Sequence, residues 1–484
     1  MQKKILTLSF FILFGLGLAK AQNGLLWSAP QAVSTSDYGF SSPRLCLLPD
    51  DSPALVWGTF TQIWFSKMEN DTFRTPVPLN TGTSLPQVFS FAGLGISSFD
   101  STLYIVYETL GEGVQLLRSF DAGESWEEPV VVYTPSNGMT GILASIEVDQ
   151  TGNPMISFLL QNNNETNSVV WLTRSFDQGS SFTQGAETSA PADGDEVCEC
   201  CYQDILPLDN EQIFVGFRSN RSNLRDMWVT RSTNGGALFD AATDVDAQDW
   251  MVQACPFSGP SITALPGDSI LAVWMSKGSG DLRVYGSTLY QNTMEKAWEF
   301  EFPGSTGTGL YNQNHPDVVS SGDTVVVVWE ESGFQGTGQD IVCAFSTTGT
   351  LGLAANTMNV NPATSQQKFP KLAYRNGVVH LIYADDLNGV SYQRATVLPS
   401  SQTQQPNALE RLHIQPNPAT SRVQVTSPEG TQQLVLFNSL GQMVLQQQTQ
   451  GALDISQLSN GLYIIRALDE NSQLLGQGSL QVMR

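Results

Sequence analysis

Arg44, His315, Asp317 and Lys371 each stand at the opening of a short apolar run, and Glu108, Arg218, Glu330 and Asp385 each stand just past the end of one. Glu331 and Asp386 extend two of those ends, and Arg225-Asp226 closes an arginine-rich loop that starts at Arg218. Guanidinium and ammonium groups hold a carboxylate, and carboxylates serve as proton donors and acceptors or bind sugar hydroxyls. Brought to one opening and framed by Trp57, Trp274 and Trp329, these side chains would suit a sugar or a carboxylated small molecule. The carboxylates would also suit Ca²⁺, the one cofactor the composition leaves open.

Cysteine supplies a second chemistry. Cys198-Glu-Cys200-Cys201 precedes one apolar run and Cys255-Pro256 precedes the next. In an oxidising compartment Cys255 is expected to pair with one of the three. Cys198 with Cys201 would make a second bridge, since a bond between adjacent Cys200 and Cys201 is strained. The competing reading is a soft-metal thiolate site for Cu(I) or Zn. Neither His315 nor His380 has ligand spacing to the cysteines, so no metal is assigned. Cys46 and Cys343 read as small buried hydrophobes.

The elements that must position these groups are short strands. Apolar cores carrying an aromatic residue recur at Trp57, Tyr107, Phe158, Phe217, Trp274, Trp329 and Tyr383, in steps of 50 to 59 residues. A further short strand precedes each core, often entered through Pro, as in Pro43-Arg44-Leu45, His315-Pro316-Asp317 and Phe369-Pro370-Lys371. Four strands at this spacing make one propeller blade. Seven cores imply an all-β, seven-bladed β-propeller over residues 23–397, with six blades as the alternative count. Leu26 to Val33 is expected to supply the outer strand that the last blade lacks, which would hide both edges.

A turn repeats in step with these cores: Ser119-Phe-Asp121-Ala-Gly123-Glu-Ser125-Trp126, Ser175-Phe-Asp177-Gln-Gly179-Ser-Ser181-Phe182 and Ser232-Thr-Asn234-Gly-Gly236-Ala-Leu-Phe239. Asp or Asn accepts hydrogen bonds from the turn, Gly takes the positive φ, and the aromatic residue is expected to pack the turn onto its own sheet. The pattern resembles the Asp-box (BNR) turns of sialidase-like β-propellers, in which Asp121, Asp177 and Asn234 would be structural. The resemblance implies glycan recognition at a central mouth, or exo-sialidase hydrolysis. A third reading is an adhesive or structural surface protein. Sialidases hold the substrate carboxylate with three Arg, use an Asp as acid/base and attack with a Tyr activated by a Glu. Pro43-Arg44-Leu45 resembles the first-Arg motif with Cys46 in place of its Pro, and Arg218 stands as the second. The chain departs from the pattern at the third Arg, where Lys371 is the basic candidate, and Tyr311 lacks the family's flanks.

The two ends are addresses. Residues 1–22, with Lys3-Lys4, an apolar run and Ala19-Lys20-Ala21, read as a secretory signal peptide, too short to span a bilayer. From His413 the chain alternates between short strands and Pro/Gly turns, enough for a small β-sandwich over 412–484. Its Pro416-Asn417-Pro418, Asp454-Ile455-Ser456 and Gly461-Leu-Tyr463 blocks resemble the type A C-terminal sorting domain of the Bacteroidetes type IX secretion system. The resemblance implies that secretion machinery as a partner, and a secreted or surface-attached product. Residues 398–411 read as a polar linker. A formal net charge of −23 argues against nucleic acid as a partner.

Overall fold

Apolar runs such as Leu55–Trp57 and Val325–Trp329 expose no surface at all, which requires cover on both faces and a neighbour on each edge. In the computed structural model each such run is the second strand of an antiparallel sheet. The structure describes residues 24–35, 41–59, 61–79, 82, 85–109, 111–162, 168–188, 196–209, 211–303, 312–332, 338–397, 410–428, 430–438, 443–448, 452–468 and 474–483. The expected signal peptide, most of the expected linker and Tyr311 lie outside them. The chain forms two compact units, Met1–Leu398 and Pro399–Arg484.

Among its described residues the first unit contains seven sheets, with strands in chain order from the innermost outward except that Leu25–Trp27 and Gln31–Ala32 add to the outer side of the seventh. Their innermost strands are Ser41–Leu47, Leu94–Phe99, Met139–Val148, Asp204–Pro207, Ser261–Leu265, Asn312–Ser321 and Gln367–Arg375. Each lies beside the innermost strand of the next sheet, and that of the seventh lies beside that of the first. Leu25–Trp27 pairs with the third strand of the seventh sheet, Leu26 opposite Thr396, so the start of the unit completes its last sheet.

Apolar clusters fill the spaces between neighbouring sheets, and the three tryptophans expected around the mouth belong to them. Trp57 packs with Val33, Ile382 and Tyr392, Trp274 with Phe214 and Met227, and Trp329 with Leu271 and Phe302. A second strand is flanked by its own sheet, so both its faces meet neighbouring sheets and neither meets the centre.

The three repeated turns share their backbone hydrogen bonds, and the first two add a hydroxyl bond that Leu238 cannot make in the third. Gly123 donates its N–H to Ser119 Oγ (2.8 Å), and Ser125 donates its N–H and hydroxyl to the two oxygens of Asp121. The Ser125 hydroxyl and N–H hold the Asp121 carboxyl down to about 2. The aromatic residue packs across to the preceding sheet as well as onto its own: Trp126 meets Phe65 edge-on at 5.2 Å. A basic hook answers from the other side. Lys67, Arg118, Arg174 and Arg231, each near the end of a third strand, donate to backbone carbonyls in the turn of the next sheet, at Ala122, Gln178, Gly235 and Gln291. Arg394 of the seventh sheet reaches Asp71 of the first in the same sense.

The second unit has a five-stranded and a three-stranded sheet around Leu412, Ile414, Val423, Leu436, Ile455, Ile465 and Val482. Asn417 ties its entry to the last strand, donating to Ser479 O (2.7 Å) and accepting from Gln481 N–H (2.8 Å). Among the described residues no helix is long and apolar enough to cross a membrane.

Candidate functional site

The seven innermost strands place one residue each at an equivalent register. Arg44, Gly95, Ser145, Asp204, Ser261, Asp317 and Lys371 all pair with the residue immediately before the buried aromatic of the second strand. All seven line one central cavity of about 400 Å³. Four of the strands reach this register through a bulge that re-aims the side chain. The bulged residues Ser42, Leu143, His315 and Phe369 have φ between 47° and 55°, each two positions before its cavity residue. This is the physical content of the Pro-entered strand openings: in three of the four, Pro follows the bulged residue.

The layer is lopsided. Lys371 and Arg44 stand on adjacent sheets, the seventh and first, whereas the second, third and fifth sheets offer only Gly95, Ser145 and Ser261. Cross-strand ties hold the charged members. Asp317 accepts from Lys371 Nζ (2.6 Å) and from Leu372 N–H (2.7 Å), and Asp204 accepts from Ile262 N–H (2.7 Å). Lys371 Nζ also lies 5.4 Å above the Tyr202 ring. Arg44 gives two N–H groups to the carbonyls of Pro43 and Phe91 and forms no ion pair among the described residues. One position deeper, Glu147 accepts from Ser97 Oγ (3.2 Å).

Low-dielectric surroundings set the proton states. Burial, reinforced by the Asp204 charge, pushes Glu147 up to about 8. Burial likewise lifts Asp204 to about 6 against the opposing pull of Lys371. Burial lowers Arg44 and raises the Tyr202 phenol. For Lys371 burial works downward, but Asp317 and Tyr202 outweigh it and the ammonium is held above its ordinary value. At neutral pH the cavity thus holds two cations, Asp317 paired with Lys371, a largely ionised Asp204 and a largely protonated Glu147.

Of the residues singled out in the sequence, Arg44, Asp317 and Lys371 come together here, and the rest lie elsewhere. Glu108 Oε1 accepts from Ala144 N–H (2.6 Å) and Glu330 Oε2 from Phe369 N–H (3.0 Å). Each pins the bulge of the next sheet, and burial raises both carboxyls to about 7. His315 packs between Phe91 and Phe369 with Nε2 3.7 Å from Glu330, and burial lowers it to about 3. Its place on the bulge turns it out of the cavity that Asp317, two residues on, enters. Glu331 binds Gln313 and the Trp329 indole. Asp385 accepts from Ser365 and from the N–H groups of Leu387 and Asn388, and Asp386 accepts from Gln366 N–H, so both shape turns. Arg218 is buried and donates to the carbonyls of Ser258, Arg225 and Met275. Arg225 pairs with Glu199 (2.8 Å), and Asp226 accepts from Trp250 N–H.

Tyr202, Asp204 and Glu147 escaped the sequence reading. A signal for Asp204 existed: it stands thirteen residues before Phe217, as Arg44 stands thirteen before Trp57. No Pro marks that strand opening, which follows directly on the cysteine run. In that run Cys200 bonds to Cys255, while Cys198 and Cys201 remain thiols with sulfurs 2.8 Å apart.

Residues 413–477 match the family described as "Secretion system C-terminal sorting domain". The protein is exported by type IX secretion, to the cell surface or beyond it. No curated protein matches the sequence. Solved structures similar in fold include an alpha-L-arabinanase of Penicillium chrysogenum complexed with arabinobiose, 14% identical, covering 77% of this chain and 98% of that one with a TM-score of 0.43. They also include the polysaccharide lyase Uly1 (10% identity, 72% and 88% coverage, TM-score 0.47) and the Hadza microbial sialidase Hz136 (10%, 70% and 74%, 0.42). At such identities and scores they lend no argument about chemistry.

Proposed function

We propose that the first unit is a seven-bladed, sialidase-like Asp-box propeller whose central cavity binds a small carboxylated ligand, an acidic sugar, outside the cell. The observation that carries this reading is the cavity layer, with Arg44 and Lys371 side by side, Asp204 across from them and small residues on the second, third and fifth sheets between. A half-buried guanidinium with no ion pair among the described residues favours an anionic occupant. Gly95, Ser145 and Ser261 leave room for a ring between the two cations and Asp204 on the fourth sheet, and Asp204, Glu147 and Tyr202 offer hydroxyl partners. The family pattern of three converging arginines is not assembled by Arg44 and Arg218, which supports recognition over turnover. Calorimetric titration of the exported protein with acidic and matched neutral monosaccharides tests the proposal. Selective binding of the acidic sugars, reduced at least tenfold by Arg44→Ala, is expected; equal affinity for the neutral sugars, or no binding, would sink it.

Hydrolysis is the second reading, favoured by one observation: a tyrosine and two carboxyls of unequal proton affinity share the cavity. A fluorogenic sialoside assay decides it. Turnover abolished by both Tyr202→Phe and Asp204→Asn would establish the hydrolase, and turnover indifferent to them would place any activity elsewhere.

A further inference from the structure

The connection that delivers Tyr202 and Asp204 to the cavity begins with three cysteines, and only one of them is bonded. Cys200 joins Cys255, with Cα atoms 6.0 Å apart. Cys198 Sγ lies 2.8 Å from Cys201 Sγ and 3.6 Å from Cys200 Sγ. The first separation is within about 1 Å of a sulfur–sulfur bond. Backbone geometry sets it: Cys198 donates its N–H to Arg218 O (2.8 Å), and Cys201 N–H turns back to Cys198 O. The thiols are buried, at 1% and 3% exposure, beside the guanidinium groups of Arg218 and Arg225.

We propose that Cys198 and Cys201 are a redox-active pair that closes into a second disulfide once the chain leaves the reducing cytoplasm, locking the segment that carries Tyr202 and Asp204. The pair divides the labour that exchange requires. Burial works to raise the Cys201 thiol, but the hydrogen bond from Cys198 and the Arg218 charge outweigh it and bring Cys201 down to about 7. Burial and the neighbouring Cys201 hold Cys198 well above the ordinary range. Cys201 is therefore the attacking thiolate and Cys198 the proton holder. The acceptor is a protein or small-molecule disulfide, met once Arg218 and the Cys198–Cys201 turn are in place and before the neighbouring loops close over the two sulfurs. Cys201 thiolate attacks one acceptor sulfur, forms a mixed disulfide and expels the other sulfur as thiolate. Cys198 then loses its proton, attacks the Cys201 sulfur and expels the second thiolate. Two electrons pass to the acceptor, which takes up the two protons and leaves as two thiols.

The test begins with exported protein, denatured without reductant in the presence of an alkylating reagent and examined by intact mass and peptide mapping. Two labelled cysteines, Cys46 and Cys343, with a Cys198–Cys201 link in the map are expected. Four labelled cysteines, a Cys198–Cys200 link, or one tightly held metal ion per chain by elemental analysis would overturn the pair. The locking role rests on the ligand reading given above, so it has its own readout. The apolar double variant Cys198→Ala/Cys201→Ala, with far-UV circular dichroism unchanged, should bind the acidic sugar about tenfold more weakly. Should the mapped bond be present and affinity for a sugar that the native protein binds be unaltered, the lock is refuted while the disulfide stands. A variant that fails to fold is replaced by Cys198→Ser/Cys201→Ser, which keeps the Cys200–Cys255 bond and is scored in the same titration.

Discussion

Arg44 and Arg218 look alike in sequence, each flanking an apolar run, yet the fold treats them oppositely. Arg218 is sealed at 1% exposure and directs three of its nitrogens to the carbonyls of Ser258, Arg225 and Met275, so it acts as a staple between the fourth and fifth sheets. Arg44 reaches the central cavity and uses two N–H groups on backbone, which leaves donor capacity for a ligand. A buried arginine is thus a site candidate only when its remaining donors face a space. The same distinction separates Glu108 and Glu330, which pin bulges, from Glu147 and Asp204, which line the cavity.

The largest effect should come from the staple. Arg218→Ala leaves three buried carbonyls without their charged donor and should destabilise the first unit by about 3–5 kcal/mol in urea unfolding. Arg44→Ala should cost about 1 kcal/mol or less in the same measurement while weakening acidic-sugar binding at least tenfold, about 1.4 kcal/mol. If Arg44→Ala destabilises as strongly as Arg218→Ala, the contrast between staple and site disappears.

Glu147 sharpens the comparison through pH. Its folded value of about 8 lies above the ordinary 4.5, so the folded state binds its proton more tightly than the unfolded chain does. Its burial is therefore harmless below about pH 4.5 and becomes progressively destabilising as pH rises toward about 8. Glu147→Gln should raise stability at pH 8 relative to pH 5, by on the order of 1 kcal/mol or more, and flatten that part of the profile. A parallel profile for variant and parent would show that Glu147 is ionised in the folded protein.

The turns give smaller effects that test the scaffold alone. A Cβ on Gly123 would lie 2.5 Å from the Phe65 ring at a φ of +84°, whereas one on Gly111, at φ +91°, meets nothing. Gly123→Ala should destabilise by about 2 kcal/mol and Gly111→Ala by about 1 kcal/mol, through backbone strain alone. Ser125→Ala, which removes one hydroxyl bond to Asp121, should cost about 1 kcal/mol. None of the three should alter sugar affinity, and a loss of binding at unchanged stability would make the turns part of the site.

Much of the scaffold was readable because it depends on local patterns. The aromatic cores, the Ser-x-Asp-x-Gly turns and the pairing of Leu26 with the last sheet follow from alternation, turn chemistry and the need to cover an edge. The C-terminal unit was readable for the same reason. The site was only partly so. Arg44, Asp317 and Lys371 were found because Pro marks their bulged strand openings, while Asp204 lacks that mark and Glu147 sits deeper along its strand. Trp57, Trp274 and Trp329 misled because an aromatic residue in a second strand serves the space between sheets.

Residue order by itself determined which segments become strands, where the chain turns and by which route the protein leaves the cell. Those outcomes depend on contacts a few residues apart, or on a domain complete in itself. Only the tertiary structure decided which charges share a space. Seven strands contribute one residue each to the cavity layer, and the direction of each side chain depends on whether its strand is bulged. A one-residue shift in such a strand exchanges cavity for core, and a second strand does not meet the cavity at all, so place in the sheet, rather than residue type, separates Arg44 from Arg218 and Asp204 from Glu108.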